Sequence, residues 1–111
     1  MSEFVGAKKL ARIYIDTQDK FESKPLYEEI LLRAKDSGMS GATVFKGVAG
    51  MGVHTKIHSF ELLSLSQNLP LIIELIDDES KLKDFLTSID SIIDEGMCVM
   101  MDVEVISYKH K

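Results

Sequence analysis

The chain has 111 residues, 45% of them hydrophobic and 28% charged, and carries a net charge of -5. Such a composition predicts one folded domain over residues 1–111, argues against disorder, and sets the phosphate backbone of a nucleic acid against an excess of like charge. Cys98 is the single cysteine, so the chain can form neither an intrachain disulfide nor a multi-cysteine metal site, which fits a reducing cytoplasm.

Residues 9–15 alternate apolar and larger or charged side chains and predict a first strand. A polar run over 16–24 ends it. Pro25 then fits a first helical turn, Leu26, Ile30, Leu31 and Ala34 recur at helical spacing, and Gly38 is placed to stop the helix. Residues 42–48 predict a second strand, which Gly50 and Gly52 bulge or twist as it leaves the sheet. Between 53 and 68 neither period wins, and 58–65 reads equally as a short helix or an extended arm. Residues 71–76 form a third strand, and Asp77 to Ser80 supply acidic and capping groups. Leu82, Phe85, Leu86, Ile89, Ile92 and Ile93 make the stripe of a second helix ending at Gly96, and 97–108 alternate again as a last strand.

The order strand, helix, strand, strand, helix, strand is a split βαβ arrangement: an α+β, ferredoxin-like fold with a four-stranded antiparallel sheet and two helices on one face. Residue parity puts Leu10, Arg12, Tyr14, Val44, Lys46, Ile72, Glu74, Ile76, Met100, Glu104 and Ile106 on the other face. An apolar face of that size predicts cover by another subunit, with Arg12 and Lys46 pairing Glu74 and Glu104 in the interface.

Five of the seven glycines and two of the three histidines lie between Gly38 and His58. Glycines let backbone amides approach an anion, but here they lack the lysine and hydroxyl of a phosphate loop, so a ligand contact and a bulged hairpin both fit. His54 and His58, four apart, would share one side of a helix and, with Glu61, could hold a metal; solvated loop histidines fit the same spacing. Lys46, Lys56 and the tail from Lys109 to Lys111 could neutralise a phosphate or stay solvated. No nucleophile–base pair or paired acidic site emerges, so an enzyme is not expected.

Gly41-Ala42-Thr43-Val44 followed by Gly50-Met51-Gly52-Val53-His54 resembles the second strand of the PII nitrogen-signalling proteins and its exit into their regulatory loop. Arg12-Ile13-Tyr14-Ile15, Lys24-Pro25-Leu26-Tyr27, Ser40-Gly41-Ala42-Thr43-Val44, His58 and Leu65-Ser66-x-x-Leu69-Pro70 resemble more closely a PII-like family, domain of unknown function family 190, over nearly the whole chain. The resemblance implies a trimer with clefts between neighbours, as in PII and the related CutA proteins. It also implies an adenine nucleotide or related effector in those clefts. Carried over by position, the contacts are Thr43, Gly50, Gly52 and His54, with Lys56, His58 and Lys109 as the basic and polar additions. Glu95-Gly96-Met97-Cys98 has no lysine where PII proteins have a phosphate-binding segment, so a less charged ligand is implied rather than a triphosphate.

The expectation is a non-enzymatic regulatory protein without a cofactor beyond that effector, whose 53–68 segment engages a transporter or an enzyme. Two alternatives are a CutA-like metal-binding trimer using His54, His58 and Glu61, and a purely structural interaction module. The first residues lack the apolar run of a signal peptide, and no segment approaches the roughly 20 apolar residues of a membrane span, so a cytoplasmic protein without membrane insertion is expected.

Overall fold

The first strand, β1 (Gly6–Asp16), is central and pairs on both sides, antiparallel to β5 (Pro70–Asp77) and to β6 (Met97–Val105). This computed structural model describes residues 4–51 and 69–111. A short strand β4 (Thr43–Lys46) pairs antiparallel to the far side of β5, giving the order β4-β5-β1-β6. Helix α1 (Leu26–Asp36) connects β1 to β4, and α2 (Glu79–Ile89) connects β5 to β6. This is the ferredoxin-like α+β arrangement expected from the element order.

Both helices lie on one sheet face because their apolar stripes match its inward parity. Leu26, Ile30 and Ala34 of α1 and Leu82, Phe85 and Ile89 of α2 are buried against Ala11, Ile13 and Ile15 of β1 and Leu71, Ile73 and Leu75 of β5. Gly38 ends α1 as expected. It takes φ +78, its N–H bonds Lys35 O at 3.1 Å, and the Met39 N–H bonds Ala34 O at 3.1 Å, the pair of bonds of a Schellman stop.

Several boundaries differ from the sequence reading, each for a local reason. Pro25 caps α1 from outside at ψ 136 and also closes a small hairpin of β2 (Lys20–Phe21) and β3 (Lys24–Pro25), where only a polar connection was expected. The second helix stops at Ile89 and tightens into a 3-10 turn over Asp90–Ile92, which still directs Ile92 and Ile93 onto the core. The last strand ends at Val105 because its partner runs out at Gly6, leaving Ile106 77% exposed.

Registers also correct the face assignment. Val44 lies opposite Ile73, and Met100 lies opposite Ala11, so Val44, Lys46, Met100 and Glu104 share the helix side. On the open side their places are taken by Thr43 and Phe45 of β4 and by Met97, Val99, Met101 and Val103 of β6. A shift of one residue exchanges every side chain between faces. The assignments of Leu10, Arg12, Tyr14, Ile72, Glu74 and Ile76 to the open side hold.

The open face is thereby ordered in rows across the strands. Phe45, Ile72, Tyr14 and Met97 form one, Thr43, Glu74, Arg12 and Val99 the next, and Ile76, Leu10 and Met101 a third. Phe45, Met97 and Met101 are 46%, 55% and 40% exposed.

Candidate functional site

Thr43 starts β4, directly opposite Glu74, and is exposed on the open face at the sheet edge. Its strand is held in place from behind. Asp77 is 3% exposed at the end of β5 and accepts N–H bonds from Ser40 at 3.2 Å and Asp78 at 2.8 Å, with the Lys81 ammonium at 3.5 Å. Lys81 in turn donates to Gly38 O at 2.8 Å, and the Ser40 hydroxyl donates to Ile76 O at 2.9 Å. This buried carboxylate ties the α1–β4 turn to the start of α2. The sequence reading took Asp77 as an acidic cap because an Asp after a strand and before a helix gives no sign of its burial.

In the second row, Glu74 accepts a bond from Arg12 Nε at 2.9 Å, with side-chain exposures of 38% for Arg12 and 17% for Glu74. The Glu74 carboxylate first, and the Tyr14 hydroxyl second, raise the Arg12 pKa above its ordinary value. The Arg12–Glu74 pairing expected between subunits is thus already made within one chain. Lys46, on the opposite side of the sheet, cannot join it.

Beyond Lys46 the chain leaves the sheet beside Pro70. The Gly47 N–H bonds Pro70 O at 2.8 Å, and a Cβ on Gly47 or Gly50 would stand 2.6 or 2.9 Å from Pro70 Cγ. These two glycines therefore have a packing reason independent of any ligand. The returning end is fixed by β1: Thr17 N–H bonds Leu69 O at 2.8 Å, and Leu69 N–H bonds the Thr17 hydroxyl at 3.0 Å. Val48 and Met51 on the exit are 84% and 68% exposed.

The surroundings of this end of β1 are acidic. Burial raises the Asp19 pKa, a hydrogen bond from the Asp16 N–H opposes that, and the carboxylates of Asp16, Glu95 and Asp94 raise it further. A phosphate here would meet repulsion unless cations approach from elsewhere.

Lys109 lies at the other end. β6 finishes opposite Gly6, and Tyr108 packs on Phe4 with ring centroids 4.6 Å apart, while Lys8 Nζ sits 5.0 Å from the Phe4 centroid. Thr43 and Gly50 thus belong to one strand and its exit, whereas Lys109 is separated from Gly50 by most of β1, which spans about 33 Å at ~3.3 Å per residue. Gly52, His54, Lys56, His58 and Glu61, and with them the metal set and the 53–68 segment, lie outside the described residues. Among the described residues no group of three or more His, Cys, Asp or Glu is arranged to hold a metal ion, and no helix is long and apolar enough to cross a membrane.

A groove of about 420 Å³ that the sequence reading missed runs along Lys8, Lys9, Asp78, Glu79 and Asp102. Its charges are mutually engaged: Lys8 to Asp78 at 2.7 Å, Lys9 to Glu79 at 3.7 Å, and Lys9 to Asp102. The Cys98 thiol, exposed on the helix side of the edge strand, is pushed up by partial desolvation and then by Asp90, which favours its neutral form.

Residues 8–105 match the family model DUF190, described as uncharacterized ACR. A UPF0166 protein of Aquifex aeolicus is 43% identical over 102 residues, covering 92% of this chain and 96% of the relative. A UPF0166 protein of Methanocaldococcus jannaschii is 38% identical over 98 residues, covering 87% and 90%. Among solved structures, the chain resembles CPII of Thiomonas intermedia K12, a nitrogen regulatory PII-like protein bound to ADP, AMP and bicarbonate. That likeness has a TM-score of 0.65 at 15% identity and covers 93% of this chain and 97% of the other. The fold is PII-like.

Proposed function

The chain belongs to the DUF190 family, and from that membership and its PII-like fold we propose that it is a non-enzymatic regulatory protein of the cytoplasm. It binds an adenine nucleotide or related small effector in clefts between the subunits of a homotrimer. Thr43 and Gly50 line the cleft from one subunit and Lys109 from its neighbour, with Gly52, His54, Lys56 and His58 completing the set. Residues 53–68 carry the signal to a partner, a transporter or an enzyme.

One observation carries this reading. Thr43 stands exposed at the margin of an apolar open face that a second copy would cover, which supports a ligand site at a boundary between chains. The PII-like neighbour's bound ADP and AMP support the ligand class. The lack of a lysine in Glu95-Gly96-Met97-Cys98 favours a mono- or diphosphate over a triphosphate, since each added phosphate charge needs a cation to offset it.

Thermal-shift measurements across AMP, ADP, ATP and cyclic nucleotides test the proposal. A ligand at 100 times its Kd adds about 2.7 kcal/mol, which raises Tm by several degrees. AMP or ADP is expected to give that shift and ATP a smaller one. No shift with any nucleotide at millimolar concentration removes the ligand claim.

A further inference from the structure

We propose that the Arg12–Glu74 pair is the registration key of the self-association surface, fixing one stoichiometry on a face whose apolar rows would otherwise slide. This rests on the homo-oligomer reading above and adds a residue-level cause for its uniqueness. The pair occupies the middle row, flanked by Phe45, Ile72, Tyr14 and Met97 on one side and by Ile76, Leu10 and Met101 on the other. Apolar burial is non-directional, so these flanking rows supply affinity with little preference among offsets. A charged pair in their midst has the opposite character. It gains little over an apolar pair in stability, and its best-attested use is to select one register.

The occupant is a second copy of this chain, on two grounds. The three rows are charge-balanced, with Arg12 against Glu74 and Lys8 against Asp78 at one margin, and Asp16 at the other margin adds a single negative charge, while the chain as a whole carries -5. Two copies therefore meet across these rows with less repulsion than they encounter elsewhere. A copy also presents both signs in the same row, matching a pair that a uniformly acidic or basic partner would match only by half. Arg12 has five N–H donors, of which Nε bonds Glu74, and its side chain is 38% exposed, so a guanidinium covered by the opposing copy needs an acceptor there for the donors it now turns to water. Only offsets that bring a carboxylate, hydroxyl or carbonyl to it avoid a buried, unsatisfied donor.

The test is native mass spectrometry and sedimentation velocity on the full chain, comparing wild type with the charge-free double variant Arg12→Met, Glu74→Leu, with circular dichroism and thermal melting to verify folding. Wild type is expected as a single oligomer, and the double variant as a mixture of two or more stoichiometries. A folded double variant that keeps the single wild-type stoichiometry overturns the key and leaves the oligomer intact. A monomeric double variant assigns the pair to affinity and also overturns registration. A wild type that stays a monomer at micromolar concentration removes the oligomer reading, and the key with it. Should the double variant fail to fold, Glu74→Gln is the second probe: it keeps an acceptor for Arg12 but no charge, and is expected to keep one dominant stoichiometry with a measurable minor one. A Glu74→Gln variant without any minor species overturns the proposal.

Discussion

Gly47 and Pro70 approach so closely that a Cβ on the glycine would lie 2.6 Å from the proline Cγ, while the glycine N–H bonds the proline carbonyl at 2.8 Å. A proline ring has little freedom to retreat. Gly47→Ala is expected to destabilise the fold by about 1–3 kcal/mol, the range for overpacking. In combination with Pro70→Ala most of that loss should disappear, giving a coupling energy above about 0.5 kcal/mol in a double-mutant cycle measured by urea unfolding.

Gly96 meets a harder obstacle. Its added Cβ would stand 2.6 Å from the backbone carbonyl oxygen of Tyr14, in the central strand, with the Ile93 and Ile15 methyls at 3.3 and 3.4 Å. Gly96→Ala should therefore cost more than Gly50→Ala, whose nearest contact is the Pro70 ring at 2.9 Å. The difference reads directly in urea midpoints, and equal midpoints would refute the ordering.

Glu22 occupies φ 56 at the tip of the β2–β3 hairpin, a left-handed conformation that costs an ordinary side chain about 1–2 kcal/mol. Glu22→Asn is expected to raise stability by up to about 1 kcal/mol, seen as a higher urea midpoint at unchanged slope. Glu22→Gly should gain less, because glycine also enlarges the unfolded ensemble.

Asp19 and Glu29 should bend the pH profile in opposite senses. Burial and the nearby carboxylates raise the Asp19 pKa in the fold, so its contribution is full below the unfolded value of about 3.9 and is lost as pH rises through the folded value. Asp19→Asn, which keeps an oxygen for the Asp16 N–H, should stabilise at neutral pH and lose that advantage in acid. Lys24 first and Arg33 second hold the Glu29 carboxyl below its ordinary range, at contacts of 2.7 Å each. Its contribution is present above the unfolded value of about 4.3 and is lost as pH falls through the folded one. Glu29→Gln should accordingly destabilise at neutral pH, with the difference vanishing in acid. Urea midpoints between about pH 3 and 7 check both signs.

Thr43→Val preserves the volume and β propensity of the strand while removing its hydroxyl. The fold should keep its melting temperature without nucleotide to within what about 0.5 kcal/mol produces, as for an exposed site. The AMP or ADP shift should shrink, corresponding to about a tenfold weaker affinity for loss of one hydrogen bond of ~1.4 kcal/mol. An unchanged shift would take Thr43 out of the ligand contacts.

The main elements were legible because the two periods are clean where burial is one-sided: Ala11, Ile13 and Ile15 alternate, and Leu82, Phe85 and Ile89 recur. The parity of β4 and β6 was harder to read. Val44 and Phe45 are adjacent apolar residues in a strand of four, and the first half of β6 is apolar on both sides. The usable signal lay in its second half, where Asp102 and Glu104 share one parity and Val103 and Val105 the other. The Glu22 turn lacks the glycine or asparagine that marks a tight hairpin, and the burial of Asp77 depends on Ser40 and Lys81, partners 37 and 4 residues away. Of the candidate site, Thr43 could be read from its position and the Arg12–Glu74 pairing from parity, but the place of Thr43 beside that pair came only through register.

The contact of Phe4 with Tyr108 gives the subunit two poles. Both described ends of the chain meet where Gly6 pairs with Val105, while the exit at Gly47 leaves beside Pro70, opposite Asp16 at the other end of the central strand. A label placed at Phe4 or Tyr108 therefore reports from the Lys109 pole and leaves the Pro70 pole unencumbered. A dye near residue 108 in one subunit and a second on Met51→Cys would report, by energy transfer, how far the opposite poles of neighbouring subunits stand apart.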